Sequence, residues 1–230
     1  MTAAVVELRQ YRLHPGQRDT LIELFDREFV ETQEAVGMSV LGQFRDPDRP
    51  DYFVWLRGFT DMISRHDALT SFYNGPVWTR HRDAANTTMI DSDNVLLLRP
   101  VTPADALPDH DPARRATHVP TGTVFAVIEQ QNDDSAATIE RFRSHLIPEL
   151  EGTGARTIGL YRTEHAENTF TRLPVRADNV IVWFGANPTE IPGPWRALLH
   201  VEPGTIARQI HRLDPTSRSL LDGTASSTPR

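Results

Sequence analysis

The sequence predicts an α+β protein made of two ferredoxin-like βαββαβ repeats, each an antiparallel sheet with helices on one face, with the two sheets packed face to face. Three observations carry that prediction. Over the first hundred residues the hydrophobic spacing switches between period two and helical period in the order βαββαβ. A Pro-rich stretch follows, and the strand–helix–strand order then begins again. Helices cover only one face of each sheet, so the other, partly apolar face must meet a second sheet, within one chain or between two.

The first repeat, residues 1–101, opens with "VELRQYRLHPG", a strand over about Val5–Leu13 ending in a Pro-Gly corner. Glu7, Arg9 and Tyr11 share one face of it, while Val6, Leu8 and Gln10 share the other. A helix from about Gln17 to Val36 follows, with Leu21, Leu24, Phe25 and Phe29 at helical spacing, and Gly37 ends it. Strands over Met38–Arg45 and Tyr52–Phe59 flank the turn "DPDRP". Thr60 or Asp61 caps the next helix, whose inner side is read as Ile63, His66, Leu69 and Phe72–Tyr73. Gly75–Pro76 stops it and starts a short helix. "NVLLLRP", Asn94–Pro100, is the fourth strand.

A Pro/Asp-rich linker spans 102–121. The second, degenerate repeat, 122–221, reads as strand Thr123–Gln131, helix Ser135–Glu151, strands Thr157–Thr163 and Asn179–Ala186, and a last strand from Ile206 broken by Pro215. "GPW" at Gly193–Trp195 echoes "GPVW" at Gly75–Trp78, and the prolines between Asn187 and Ile206 leave room for short helices only. Residues 222–230, "DGTASSTPR", read as a disordered tail.

Composition removes whole classes of chemistry. The chain has no Cys, so it holds no disulfide, thiolate nucleophile or cysteine-ligated metal. It also has no Lys, since all 24 basic residues are Arg. Schiff-base lysines, a pyridoxal phosphate anchor and a Walker-A lysine are excluded. A net charge of −7, with no basic run longer than Arg114–Arg115, argues against nucleic acid and against an anionic membrane surface as partners. The start "MTAAVVELRQ" runs straight into a strand pattern, from which a cytoplasmic location is expected. The nine His residues form neither HxH nor HExxH spacing, so no metal site and no cofactor is expected.

"VELRQYRLHPG", "FVWLRGFTDM", "SFYNGPVW" and "NTFTRLPVRADNVIVWF" together resemble the NIPSNAP family, over about residues 5 to 221. The resemblance implies the dimeric α/β-barrel type of fold and a homodimer. It implies no settled reaction, and no catalytic motif to carry over. Related barrels include cofactor-free oxygenases, isomerases, dehydratases and haem enzymes, so a barrel holding haem through one His is an alternative that nothing in the sequence singles out.

The site candidates come from the residues. In the third strand Phe53, Trp55, Arg57 and Phe59 share one face, and Tyr52, Val54 and Leu56 the other. The aliphatic face suits the covering helices, so the aromatic face is expected to look into the barrel. There Arg9, Phe53, Trp55 and Arg57 would hold the anionic end and apolar body of a small molecule. Glu7 or Tyr11 would give or take a proton. The competing account pairs Arg57 with Glu7 or another acid in a closed seam between the sheets. In "TRHRDAANTTMIDSDN", His81 is a candidate base and Asn86 a candidate orienting group, set against plain helix-capping and turn chemistry. Arg172 and Arg176, in the polar loop "NTFTRLPVR", are placed at the barrel mouth or at a partner subunit.

The leading reading is a small-molecule-binding α/β barrel, as a cofactor-free enzyme of proton transfer, isomerisation or oxygenation. The alternative is a scaffold whose barrel is filled by side chains. With no Cys and no metal-type His spacing, the melting temperature is expected to be unchanged in EDTA and in dithiothreitol. A loss of several degrees in EDTA would overturn that.

Overall fold

The computed structural model describes residues 3–108, 120–187 and 204–223. The "GPW" echo at Gly193–Trp195, the short helices expected after Asn187, most of the linker and the tail from 224 onward lie outside the described residues. The first repeat runs β1 (Val5–Leu13), α1 (Arg18–Leu24), a π-helical turn (Phe25–Phe29), α2 (Val30–Glu34), β2 (Ser39–Arg45), β3 (Tyr52–Phe59), α3 (Met62–Tyr73), α4 (Pro76–Asn86), β4 (Met89–Asp91) and β5 (Val95–Pro100). The second runs β6 (Thr123–Gln131), α5 (Ala136–Arg141), a π-helical turn (Phe142–Leu146), α6 (Ile147–Gly152), β7 (Arg156–Thr163), β8 (Val180–Asn187) and β9 (Thr205–Pro215).

The described strands form one antiparallel sheet in the order β3-β2-β9-β6-β8-β7-β5-β1-β4, and β3 also pairs with β1. That last pairing closes eight strands into a barrel within a single chain. Two short seams join the repeats. At β2–β9, Phe44 faces Pro215 and Arg45 faces Asp214, and at β5–β7, Leu98, Arg99 and Pro100 face Thr163, Arg162 and Tyr161. β4, a three-residue strand against the end of β1, is an addition to the expected order, with its pairing shifted by a bulge at Arg12/Leu13.

The long helices expected at 17–36 and 135–151 each contain a π turn at an equivalent place. Gly37, at φ 96°, and Gly154, at φ 93°, then turn the chain out of the two helices in the left-handed region that glycine enters freely. Asp61 caps α3 through a reciprocal pair with Ser64. α3 presents Arg65, Ala68, Leu69, Phe72 and Tyr73 inward, while Ile63 is 76% exposed. The expected inner face through Ile63 and His66 was therefore rotated, and the residue it left out was Arg65.

The largest correction concerns the faces of the sheet. The lumen is lined by the aliphatic set: Val6, Leu8, Val54 and Leu56 from the first repeat meet Val124, Ile128, Val182 and Phe184 from the second. Glu7, Arg9, Tyr11, Phe53, Trp55 and Arg57 lie on the outside, under the helices, not in the barrel. An eight-stranded barrel is just wide enough for side chains to fill it. The residues of both repeats that meet in the middle of this lumen are apolar and offer a charge no partner, while the buried Asp46–His211 pair, at 2.9 Å, lies at the β2–β9 side. The helices bring the groups that can satisfy charges, Arg65, Gln33 and Tyr73.

Elements expected to be irregular contribute to the same core. In the linker, Leu107 packs into the lumen and its N–H donates to the Tyr161 hydroxyl at 2.8 Å. Asp222 and Gly223, assigned above to the tail, are packed: Asp222 is buried and the Gly223 N–H donates to Thr121 O at 2.9 Å. A filled lumen sets the cost of hollowing it. Leu56→Ala is expected to lose about 2–5 kcal/mol in urea unfolding, and Ile63→Ser less than about 0.5 kcal/mol. Equal effects from the two would contradict this packing.

Candidate functional site

The polar site is built by register. β1 and β3 run antiparallel with Glu7 opposite Arg57, Arg9 opposite Trp55 and Tyr11 opposite Phe53. All six side chains therefore stand on one face of the sheet. α3 lays Arg65 and Tyr73 over them, and α2 lays Gln33.

At the centre is Glu7, fully buried and held by three guanidinium groups. Arg9 Nη1 and Arg57 Nε reach its Oε2 at 2.6 and 2.8 Å, and Arg65 Nε reaches its Oε1 at 2.7 Å. Both the pairing and the helix-side location answer the question raised by this strand face: Arg57 and Glu7 are partners. Burial alone would raise the Glu7 carboxyl, but Arg57, Arg9 and Arg65 outweigh it and hold the group well below the usual carboxylate range. Such a carboxylate is a poor base, and its role is that of counter-ion.

Three cations around one anion leave a formal surplus of two positive charges in a dry layer. Part of it rests on aromatic faces: Arg57 lies 5.1 Å from the Trp55 ring and 5.8 Å from that of Tyr73, and Arg9 5.6 Å from Trp55. Burial pulls the Arg65 guanidinium below its ordinary value and the neighbouring Arg57 and Arg9 add to that, against Glu7. Arg65 Nη1 donates to Asn168 Oδ1 at 3.0 Å, while its buried Nη2 has no hydrogen-bond partner among the described residues. The buried indole Nε1 of Trp55 has none either.

Beside this layer is a void of about 30 Å³, walled by Tyr11, Phe25, Phe29, Trp55, Tyr73 and Trp78 and touched by Gln33. That is room for about two waters. Tyr11 accepts from Arg9 Nε at 2.8 Å, which leaves its own proton to be donated. Burial, the largest effect on Tyr11, raises its pKa against the pull of Arg9, so the phenol is a donor at neutral pH. The groups around the void are donors almost throughout, because Glu7 and the Gln33 oxygen are already occupied by arginines.

The second repeat supplies an internal comparison. Its β6–β8 register mirrors β1–β3 and puts Phe125 opposite Gly185 and Val127 opposite Trp183, where the first repeat has Glu7 opposite Arg57 and Arg9 opposite Trp55. The Trp183 ring lies across Gly185, where any side chain would collide with it. Trp183 Nε1 donates to Thr157 at 2.8 Å. The matching indole of Trp55 is the one left without a partner.

Of the sequence candidates, Tyr11 and Trp55 line the void, and Glu7, Arg9 and Arg57 form the charged layer behind it. Phe53 packs edge-on against Tyr11 and Phe25, in the core. His81 sits on the outer part of α4, with Nε2 3.5 Å from Glu28. Asn86 is exposed, away from the void. Arg172 and Arg176 find partners within the chain: Arg172 donates to Asn74 at 2.9 Å, and Arg176 to Asp178 at 2.6 Å and Asn94 at 3.1 Å. Their loop folds over α3, with Phe170 buried against Tyr73 and His66. Arg65, Gln33, Tyr73, Trp78 and Asn168 were missed. Arg65 was findable, because with Ala68, Leu69 and Phe72 it has the spacing of an inner helix face.

Among the described residues no group of His, Asp or Glu is placed to hold a metal ion. A haem does not fit here: His66 is engaged with Thr169 O at 3.0 Å, His81 lies beside Glu28, and the void has room for waters only. No described helix is long and apolar enough to cross a membrane.

The NIPSNAP family model matches residues 6–104. No curated protein matches the chain. Among solved structures, a candidate monooxygenase from Lactobacillus acidophilus NCFM aligns with a TM-score of 0.51 at 12% identity, covering 94% of each chain. Another candidate monooxygenase, from Fusobacterium nucleatum, gives 0.51 at 10% identity over 93% of each. A NIPSNAP family protein of unknown function from Agrobacterium tumefaciens aligns at 19% identity over 43% of this chain and 91% of its own, with a TM-score of 0.40. At these identities the two full-length matches show a shared fold and leave the chemistry open.

Because Glu7 titrates below its ordinary range when folded, its ionisation adds stability that is complete above about pH 4.5 and is lost as pH falls below it. Glu7→Gln strands three buried cations. The expected loss is about 3–5 kcal/mol at pH 7, together with a flatter acid limb in a series of urea melts. A loss below about 1 kcal/mol would mean that water reaches the cluster.

Proposed function

We propose that this chain, whose residues 6–104 are a NIPSNAP domain, binds one small, partly apolar anion between the sheet and the helices of its first repeat. The observation that carries the reading is the surplus of two positive charges at Glu7, one layer behind Tyr11, Trp55, Tyr73 and Gln33, which wall a void that is otherwise aromatic and aliphatic. An acceptor-only ligand with a flat apolar body complements both. Arg65 Nη2, Trp55 Nε1 and the Tyr11 hydroxyl are the groups assigned to it, and Tyr11 is the one placed to hand over a proton.

A ligand larger than two waters needs space. α4 supplies it by moving outward: Ala85 is its only fully buried residue, and Trp78, the wall of the void on that helix, is only partly buried. The partner is a small molecule, with neither nucleic acid nor membrane. The proposed homodimer joins two finished barrels, since eight strands already close within one chain.

A second reading, a scaffold without a ligand, is favoured by one observation: the lumen is filled, and the void is far below the roughly 300 Å³ of an ordinary ligand pocket. Calorimetry with benzoate, phenylacetate and 1-naphthoate separates the two. The wild type is expected to bind at least one acid, and Arg65→Gln to weaken that binding by about 1.5–3 kcal/mol. Trp78→Ala is expected to speed entry. No heat from any of the acids would leave the scaffold.

A further inference from the structure

A separate groove lies where the two repeats join, on the outside of the β5–β7 seam. Its volume is about 640 Å³, within the range of ligand sites. Val5, Met62, Pro100, Val101, Pro103 and Ala106 give it an apolar lining, and Arg99 is the cation in it. The residues of the Glu7 cluster that face the helices do not line it.

Arg99 has an unusual electrostatic setting. It stands directly opposite Arg162 in the three-pair ladder that closes this side of the barrel. Like charges directly opposite across a ladder cost stability. Arg162 has Asp134 at 3.7 Å. Arg99 has no ion pair among the described residues, and its buried Nε has no hydrogen-bond partner among them. Two carboxylates border the groove, and each is engaged locally. Asp61 accepts from the backbone and hydroxyl of Ser64 at 2.7 and 2.8 Å, and Glu164 accepts from the Ala166 N–H at 2.8 Å. Among the described residues no anion is paired with Arg99 at this seam.

We infer that this groove is a second binding site, for an amphiphilic carboxylate whose head pairs with Arg99 and whose hydrocarbon body lies along Val5, Met62 and Val101. The head offsets the Arg99–Arg162 repulsion, so binding tightens the junction between the repeats. The body buries apolar surface that the groove leaves wet. The site is independent of the one under the helices.

The test uses the full chain with decanoate, below its micelle concentration, in calorimetry and thermal melts. Decanoate is expected to bind one to one and raise the melting temperature. Decanol and acetate, each lacking one half of the ligand, are expected to bind at least tenfold more weakly. Arg99→Gln is expected to lose tenfold or more in decanoate affinity while melting, without ligand, at or above the wild-type temperature. Ala106→Trp, which fills the groove without touching the charge, is expected to lose it too, and Trp78→Ala to keep it. Three results overturn the inference: no decanoate binding by the wild type, equal binding by Arg99→Gln, or a ligand-free Arg99→Gln chain that melts well below the wild type, which would make Arg99 a structural residue.

Discussion

The Glu7 carboxylate, enclosed by Arg9, Arg57 and Arg65, is the constraint on which the arrangement of the first repeat depends. A buried carboxylate must be compensated, and here each compensating group comes from a different element: Arg9 from β1 itself, Arg57 from β3 and Arg65 from α3. The ion cluster therefore fixes which face of the β1–β3 pair turns to the helices, and which turn of α3 lies over it. The second repeat is drawn into the same network, because Asn168, on the loop after β7, takes the other side of Arg65. Phe170 follows into the first repeat's core. The two repeats share one charged layer as well as one barrel.

Much of this was legible in the sequence. The element order, the tandem repeat and the barrel follow from hydrophobic periodicity, because strands and helices bury faces with different periods. Period two also put Glu7, Arg9 and Tyr11 on one face with Trp55 and Arg57. It could not say which face turns inward, since alternation is symmetric between the lumen and the helices. That choice depends on what the helices offer in return, and Arg65 was the clue. Reading α3 through Ile63 and His66 hid the only charged residue on its inner side. Gln33 and Asn168 lay beyond reach for another reason: each meets its arginine partner only through the tertiary fold.

The π turns show how a shared feature can be mistaken for a local one. Such turns are common at functional sites, and the one at Phe25–Phe29 sets Phe25 4.8 Å from Trp55 beside the void. Yet the second repeat has its own at Phe142–Leu146, above an apolar core. The turn therefore belongs to the architecture of the repeat. What differs between the repeats is the chemistry under it.

That difference bears on function. Replacing a buried ion network by well-packed apolar residues is often neutral or stabilising. This chain contains that replacement: Phe125, Val127, Gly185 and Trp183 fill in the second repeat the positions that Glu7, Arg9, Arg57 and Trp55 hold in the first. At these four positions the same backbone register thus holds without charges, while the same face keeps one balanced buried pair, Glu129 with Arg208 at 2.6 Å. The apolar version is closed, with its indole satisfied by Thr157. Among the described residues the charged version leaves without hydrogen-bond partners the Trp55 indole, which lines the void, and a guanidinium nitrogen of Arg65, in the layer behind it. A surplus of buried positive charge destabilises a protein unless its donors are received; Tyr11, Gln33, Tyr73 and Asn168 receive some of them, and Arg65 Nη2 is left with no hydrogen-bond partner among the described residues. The asymmetry between two copies of one fold is why the proposed ligand site is assigned to the first.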